Sequence, residues 1–181
     1  MNLTEKTLSR KTLFNGNIIN VHIDDAKLPN GKTVSREVVT HSGGVCIAPL
    51  TDNDELLFVR QFRYPYGEVL LELPAGKLTP GENPLECGKR ELREETGAVA
   101  ENFVSLGKLY PSPGFCDEII FLYYATQLTF GEISPDEDEF LENEQIPFEF
   151  AVQMVLENKI NDAKTQIAVL KLAEIKRRGL L

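Results

Sequence analysis

Residues 76–98 read GKLTPGENPLECGKRELREETGA, and this stretch decides how the chain is to be folded. Asn83 is a good helix N-cap, Pro84 suits the first helical position, and Glu86 stands where a capping-box carboxylate would stand. The segment 84–96 has few β-branched residues, and Gly97 lies where a left-handed C-cap belongs. A helix is therefore expected over 84–96. On it, Glu91 and Glu95 are four residues apart and Glu91 and Glu94 three apart, so the three carboxylates share a face. Arg90 is one turn from both Glu86 and Glu94. A solvated face laced with i,i+4 pairs produces runs of this kind as well. Clustered carboxylates nevertheless repel one another, and a hard divalent cation such as Mg²⁺ would give the helix a reason to collect them.

Working outward, residues 17–40 read as short strands either side of a turn at 28–31, where Asn30-Gly31 is a hairpin signal. Apolar strands are expected at 45–50 and 55–60, joined by a polar turn at 51–54, and a third at 69–73 ahead of Pro74-Ala75-Gly76. Gly43-Gly44 reads as a bend leading into a strand rather than a phosphate cradle. Beyond the helix, 103–110 and 119–128 look like strands, and 129–145 like an acidic loop. Two helical segments, 147–158 and 165–178, finish the chain, the latter with a basic last turn that suits the helix dipole. Strands interleaved with three helices point to an α/β fold in which a sheet is covered by helices on both faces.

The 181 residues fit one domain with a small N-terminal addition. Net charge is −9, which argues against a general nucleic-acid binder, because phosphate neutralisation needs clustered Lys and Arg. A phosphate-bearing substrate would also be repelled unless carboxylate-held cations intervened. No apolar run approaches the length of a membrane span, and Met1 to Lys6 lack the shape of a secretory signal, so a cytoplasmic location without membrane attachment is expected. Cys46, Cys87 and Cys116 show no CxxC spacing, which points away from a disulfide framework or a zinc site. There is no GxSxG elbow, and His22 and His41 make no HExxH or triad pattern.

The full spacing resembles the signature of the Nudix hydrolases, G-x5-E-x7-R-E-U-x-E-E-x-G-U with U a bulky aliphatic residue. Gly76, Glu82, Arg90, Glu91, Leu92, Glu94, Glu95 and Gly97 occupy the signature positions, and only the last departs, Ala98 being small. Seven fixed residues at roughly 7% frequency each would coincide by chance on the order of once per million such chains. The resemblance implies an α/β/α sandwich with a mixed sheet over residues 43–181, preceded by a small β-strand extension over 1–42. It implies Mg²⁺, with Mn²⁺ as an alternative, held by Glu91, Glu95 and the Ala75 carbonyl. Glu94 and Arg90 would belong to the catalytic helix, and Glu82 would support the loop by pairing with Arg90.

Features outside the signature are similar to the ADP-ribose pyrophosphatase group of this family. Pro113 follows the signature by fifteen residues, and Val59-Arg60-Gln61-Phe62-Arg63-Tyr64-Pro65 resembles the group's segment leading into it. Each also has an ordinary explanation, a turn before a strand for Pro113 and a strand-end cation for Arg63. Under the resemblance Arg63 clamps a diphosphate, since a guanidinium can give it bidentate hydrogen bonds. Between Glu132 and Glu144 stand seven carboxylates and no Lys or Arg, usually the mark of a solvated loop. In the group a loop at this place carries a catalytic glutamate, which makes Glu137 the expected general base and Glu139 a further metal contact. The resemblance further implies a homodimer built through residues 1–42, with Phe14, Arg36 or Glu37 reaching a nucleotide substrate. ADP-ribose would be hydrolysed to AMP and ribose 5-phosphate. Other nucleoside diphosphate derivatives, and a module that binds ADP-ribose without cutting it, remain the alternatives.

Overall fold

The strand β4 (Gly44–Pro49) is buried along its whole length, as its apolar sequence demands, and its two faces organise the larger part of the molecule. In the computed structural model, which describes residues 2–134 and 139–181, β4 pairs antiparallel with β7 (Ala75–Lys77) and parallel with β9 (Ile120–Phe130). β8 (Ala98–Leu109) lies antiparallel on β9, giving a mixed sheet in the order β7-β4-β9-β8. Val45 and Ile47 of β4 share a core with Cys87 and Leu92 of helix α1 (Pro84–Thr96). Cys46 and Ala48 point the other way, into a core built with α2 (Phe148–Leu156) and with Ala168, Val169 and Leu172 of α3 (Ala163–Arg177). The sheet is thus sandwiched between helices, the α/β arrangement expected. Each fully buried Leu, Ile or Phe contributes about 1.5–3 kcal/mol of apolar transfer.

A second sheet in the same unit has the order β10-β5-β6, with β5 at Glu55–Arg63, β6 at Glu68–Glu72 and β10 at Leu141–Pro147. β10 corrects the reading of 129–145 as a loop: its register runs from Leu141 opposite Gln61 to Pro147 opposite Glu55. The acidic composition hid it: Ile146 is the one buried residue of the strand, and the residues before it are polar except Leu141. Arg60 of β5 meets Glu144 across the pair at 2.7 Å.

Helix α1 begins and ends as its sequence dictates. The Asn83 side chain accepts the Leu85 N–H at 2.8 Å, and Gly97, at φ 70°, donates its N–H to the Arg93 carbonyl at 2.8 Å. Glu86 does not complete a capping box; its carboxylate takes Lys89 at 2.9 Å. The start of α3 lies slightly earlier than expected, because Asp162 is its N-cap and accepts the Thr165 N–H at 2.9 Å.

By internal contacts the chain divides into two units, Met1–Gly43 with Tyr110–Ile119, and Gly44–Leu109 with Ile120–Leu181. The first contains an antiparallel meander of β1 (Lys6–Asn15), β2 (Ile19–Lys27) and β3 (Thr33–His41). The β2–β3 turn falls at the Asn30-Gly31 signal, with Gly31 at φ 87° and its N–H on the Leu28 carbonyl at 2.9 Å. β1 is a strand that the sequence did not mark, since none of its ten residues is buried and no burial alternation appears. Segment 110–119 joins this unit through Val39, whose N–H reaches the Phe115 carbonyl at 2.7 Å. Among the described residues no helix is long and apolar enough to cross a membrane.

Candidate active site

Of the clustered α1 carboxylates Glu91, Glu94 and Glu95, two are buried. Glu91 is 7% exposed and Glu95 2%. Glu95 Oε2 accepts the N–H of Ala75 at 3.0 Å, so β7, held on β4, fixes one end of this side chain. Glu91 packs flat against Gly76, where any Cβ would collide with its carboxylate. The signature glycine is therefore a demand of close approach between β7 and α1. Burial pushes the Glu91 carboxyl up to about 7, against the pull of Arg90. Burial pushes that of Glu95 up to about 8, with the Ala75 N–H opposing and the charges of Glu91 and Glu139 reinforcing.

Arg90 is the hub of the helix face. Its Nε and Nη2 meet Glu82 at 3.0 and 3.2 Å, and its Nη1 meets Glu91 at 2.8 Å and Glu94 at 2.9 Å. Glu82 also accepts the Thr79 N–H and hydroxyl at 2.9 and 3.1 Å. The Arg90 guanidinium and the Thr79 donors hold the Glu82 carboxyl down near about 2. The expected Glu82–Arg90 pair is present, and it staples the loop before α1 onto the helix.

A second charged group joins the last residues of β5 and β6, Arg63 reaching along the hairpin from its place opposite Glu68. Glu72, 1% exposed, takes Arg63 in a bidentate pair, Nε to Oε1 at 2.6 Å and Nη2 to Oε2 at 2.7 Å. Its carboxylate also accepts Lys164, which in turn meets Asp162 at 2.9 Å. Burial alone would raise the Glu72 carboxyl, yet the two cations hold it below the usual carboxylate range. Arg63 and Glu95 act on each other's charge. Sequence reasoning missed Glu72 and Lys164. The available signal was a lone glutamate inside the apolar run Val69-Leu70-Leu71-Glu72-Leu73, a position that needs a buried partner.

The loop after β9 is tied to the end of α1. Ser134 N–H bonds the Glu94 carbonyl at 3.1 Å, Gly131 N–H bonds the Gly97 carbonyl at 2.8 Å, and Asn143 Nδ2 on β10 bonds the Glu95 carbonyl at 3.0 Å. Glu139 adds its charge to the field at Glu91 and Glu95. Glu137, the expected general base, lies outside the described residues. Arg36 and Pro113 belong to the N-terminal unit. Arg36 there pairs with Glu5 at 2.8 Å, and Pro113 sits in the turn before Cys116.

Among the described residues no three Asp, Glu, His or Cys side chains are gathered closely enough to ligate one ion by themselves. The donor set nonetheless fits Mg²⁺, which is commonly bound by one or two carboxylates, completed by waters and substrate phosphates. Glu91 and Glu95 are two buried carboxylates whose burial raises them to about 7 and about 8, and the Ala75 backbone meets Glu95 directly.

The NUDIX domain matches residues 40–168, and the nucleoside diphosphate sugar hydrolase N-terminal domain matches residues 5–39. The chain is 40% identical over 169 residues to the ADP-ribose pyrophosphatase of Bacillus subtilis (strain 168), covering 92% of this chain and 91% of that one. It is 41% identical over 167 residues to the methanol dehydrogenase activator of Bacillus methanolicus, covering 91% and 90%. A crystal structure of an ADP compounds hydrolase superposes with a TM-score of 0.86 at 25% identity, over 100% of both chains.

Proposed function

This chain belongs to the Nudix family of hydrolases, and we propose that it is a Mg²⁺-dependent enzyme that cleaves ADP-ribose to AMP and ribose 5-phosphate. The observation that carries the reading is the pair of buried α1 carboxylates, Glu91 and Glu95, held against Ala75 and Gly76 of β7. Glu91, Glu95, the Ala75 carbonyl and Glu139 would hold the divalent ion, with Mn²⁺ able to replace Mg²⁺. Once bound, the ion would supply neutralisation of the diphosphate charge and acidification of water. Arg63 receives a phosphate oxygen through its guanidinium. Arg90 keeps Glu91 and Glu94 oriented by charge-assisted hydrogen bonds. Glu137 accepts the proton of the attacking water as the oxygen bridging the two phosphorus atoms departs.

In this reading residues 1–42 form a dimer-making extension of a hydrolase domain spanning 43–181. Arg36 and Pro113 are then substrate-binding residues, and the enzyme works in the cytoplasm without nucleic-acid or membrane partners. The N-terminal match to nucleoside diphosphate sugar hydrolases supports a related nucleotide sugar as the second reading. Glu91, Glu94 and Glu95 are all present, which disfavours a module that binds without cutting.

The test is product analysis with ADP-ribose, ADP-glucose, GDP-mannose and ATP, with and without Mg²⁺, and with Glu95→Gln as control. Mg²⁺-dependent AMP release from ADP-ribose is expected, reduced at least about a hundredfold in the variant. Preferential cleavage of another compound would replace the substrate and keep the site. Metal binding with no cleavage of any compound would favour the binding module.

A further inference from the structure

The pairing at the ends of β5 and β6 has more structure than a strand-to-helix contact requires. α3 already docks on the end of β6 without Arg63: the Leu73 N–H bonds the buried Thr165 hydroxyl at 2.9 Å, Lys164 reaches Glu72, and Asp162 both caps the helix and holds Lys164. Arg63 comes from a different strand, and its side chain is 35% exposed while its partner carboxylate is 1% exposed. Glu72 engages one edge of the guanidinium through Nε and Nη2. Among the described residues Nη1 makes no hydrogen bond, so the outer edge keeps donors available to a ligand.

A bidentate carboxylate pair fixes the plane of a guanidinium as well as its position. An arginine at a strand end would otherwise lose most of its rotamer freedom only on meeting substrate, and that ordering weakens binding. Here the loss is taken during folding, because the carboxylate that holds Arg63 is itself buried. Arg63, Lys164, Glu72 and Asp162 together carry no net charge, so the network is balanced without drawing on the α1 carboxylates.

We propose that Glu72 is a positioning residue, which pins the inner edge of Arg63 so that the outer edge is presented to the substrate diphosphate. This rests on the reading of Arg63 as the diphosphate clamp. Lys164 belongs to the anchor of α3, not to the clamp.

Steady-state kinetics with Mg²⁺ and ADP-ribose, together with melting temperatures, test this on the full chain. Arg63→Ala and Glu72→Gln are each expected to raise KM about tenfold or more, the loss of a charge-assisted bond. kcat should stay within about threefold of wild type, because the clamp holds substrate and transition state alike. The double variant Arg63→Ala/Glu72→Gln should be no worse than Arg63→Ala alone, since Glu72 acts only through Arg63. Lys164→Met, which breaks the anchor but leaves Arg63 its carboxylate, should lower the melting temperature and leave KM near wild type.

If Glu72→Gln fails to fold, Glu72→Gln/Lys164→Met removes the stranded cation and should show the raised KM in its place. Equal KM changes in Lys164→Met and Glu72→Gln, following melting temperature, would mean that the network is only structural and would overturn the proposal. Additive losses on combining Arg63→Ala with Glu72→Gln would overturn it too. An unchanged KM in Arg63→Ala, with wild type active on ADP-ribose, sinks the positioning role but leaves the hydrolase reading standing. A wild-type enzyme inactive on every compound of the substrate panel sinks both.

Discussion

Glu91 and Glu95 set an unusual pH dependence of stability. Their folded carboxyls stand at about 7 and about 8, against 4.5 for an ordinary glutamate. Between these values the unfolded chain has released protons that the folded chain still binds, so stability falls as pH rises from about 4.5 and levels off near pH 8. Glu82 works in the opposite sense and in a separate window: its carboxyl, depressed to about 2, contributes stability above 4.5 that is lost as pH falls toward 2. The metal-free protein is therefore expected to melt highest near pH 5 and several degrees lower at pH 8, at roughly 2–4 °C per kcal/mol for a chain of this size. Mg²⁺ should raise the melting temperature more at pH 8 than at pH 5, because it binds the deprotonated native site. Scanning calorimetry across this range decides the matter, and a melting temperature that climbs steadily from pH 5 to pH 8 without metal would refute it. The α1 carboxylates were legible in the sequence because a helix brings residues three and four apart together. Glu72 and Lys164 were not, because 92 residues separate them and only the packing of α3 on β6 makes them neighbours.

Among the elements, α1 was readable from end to end, since its caps are local chemistry. β10 and β1 were not. The first has no apolar alternation, its two apolar side chains Leu141 and Ile146 being of opposite parity, and the second has every residue exposed, with cross-strand pairs such as Arg10 to Asp24 that no local pattern announces. The short β7 was equally hidden, because three residues carry no periodicity and only pairing with β4 defines it. The C-cap of α1 gives the sharpest test at this scale. Gly97 sits at φ 70°, and a Cβ there would stand 2.5 Å from the Gly131 carbonyl oxygen. The left-handed conformation costs a non-glycine residue about 1–2 kcal/mol, and the clash with backbone adds to it. Gly97→Ala is expected to lower the melting temperature by about 5 °C or more. It should also reduce kcat, since Gly131 and Ser134 tie the loop after β9 to this helix end. A variant that melts with wild type would show that the loop yields freely and that the cap does not hold it.

For the molecule as a whole, the open question is what covers the N-terminal unit. Its meander has the order β1-β2-β3, and among the described residues β1 pairs only with β2, leaving the other edge of that strand unpaired. Of residues 2–43, only Asp24, Ala26 and Gly43 are buried, while Leu8, Leu13, Phe14 and Ile18 are each more than half exposed. A three-stranded sheet needs an apolar face packed on something to be stable, and an open edge with exposed apolar side chains is an invitation to another chain. A second copy of the same chain would pair these surfaces isologously and bury them without further partners. The protein is expected to run at twice its monomer mass in light scattering at micromolar concentration, despite a net charge of −9 on each chain. Leu13→Asp combined with Phe14→Asp should shift it toward monomer by placing unpaired charge in the contact. If residues 1–42 also complete the substrate pocket, kcat/KM for ADP-ribose should fall with the dimer fraction and recover as protein concentration is raised. A wild-type monomer that is fully active at micromolar concentration would remove both the dimer and the shared pocket, and the exposed apolar edge of β1 would then need another occupant.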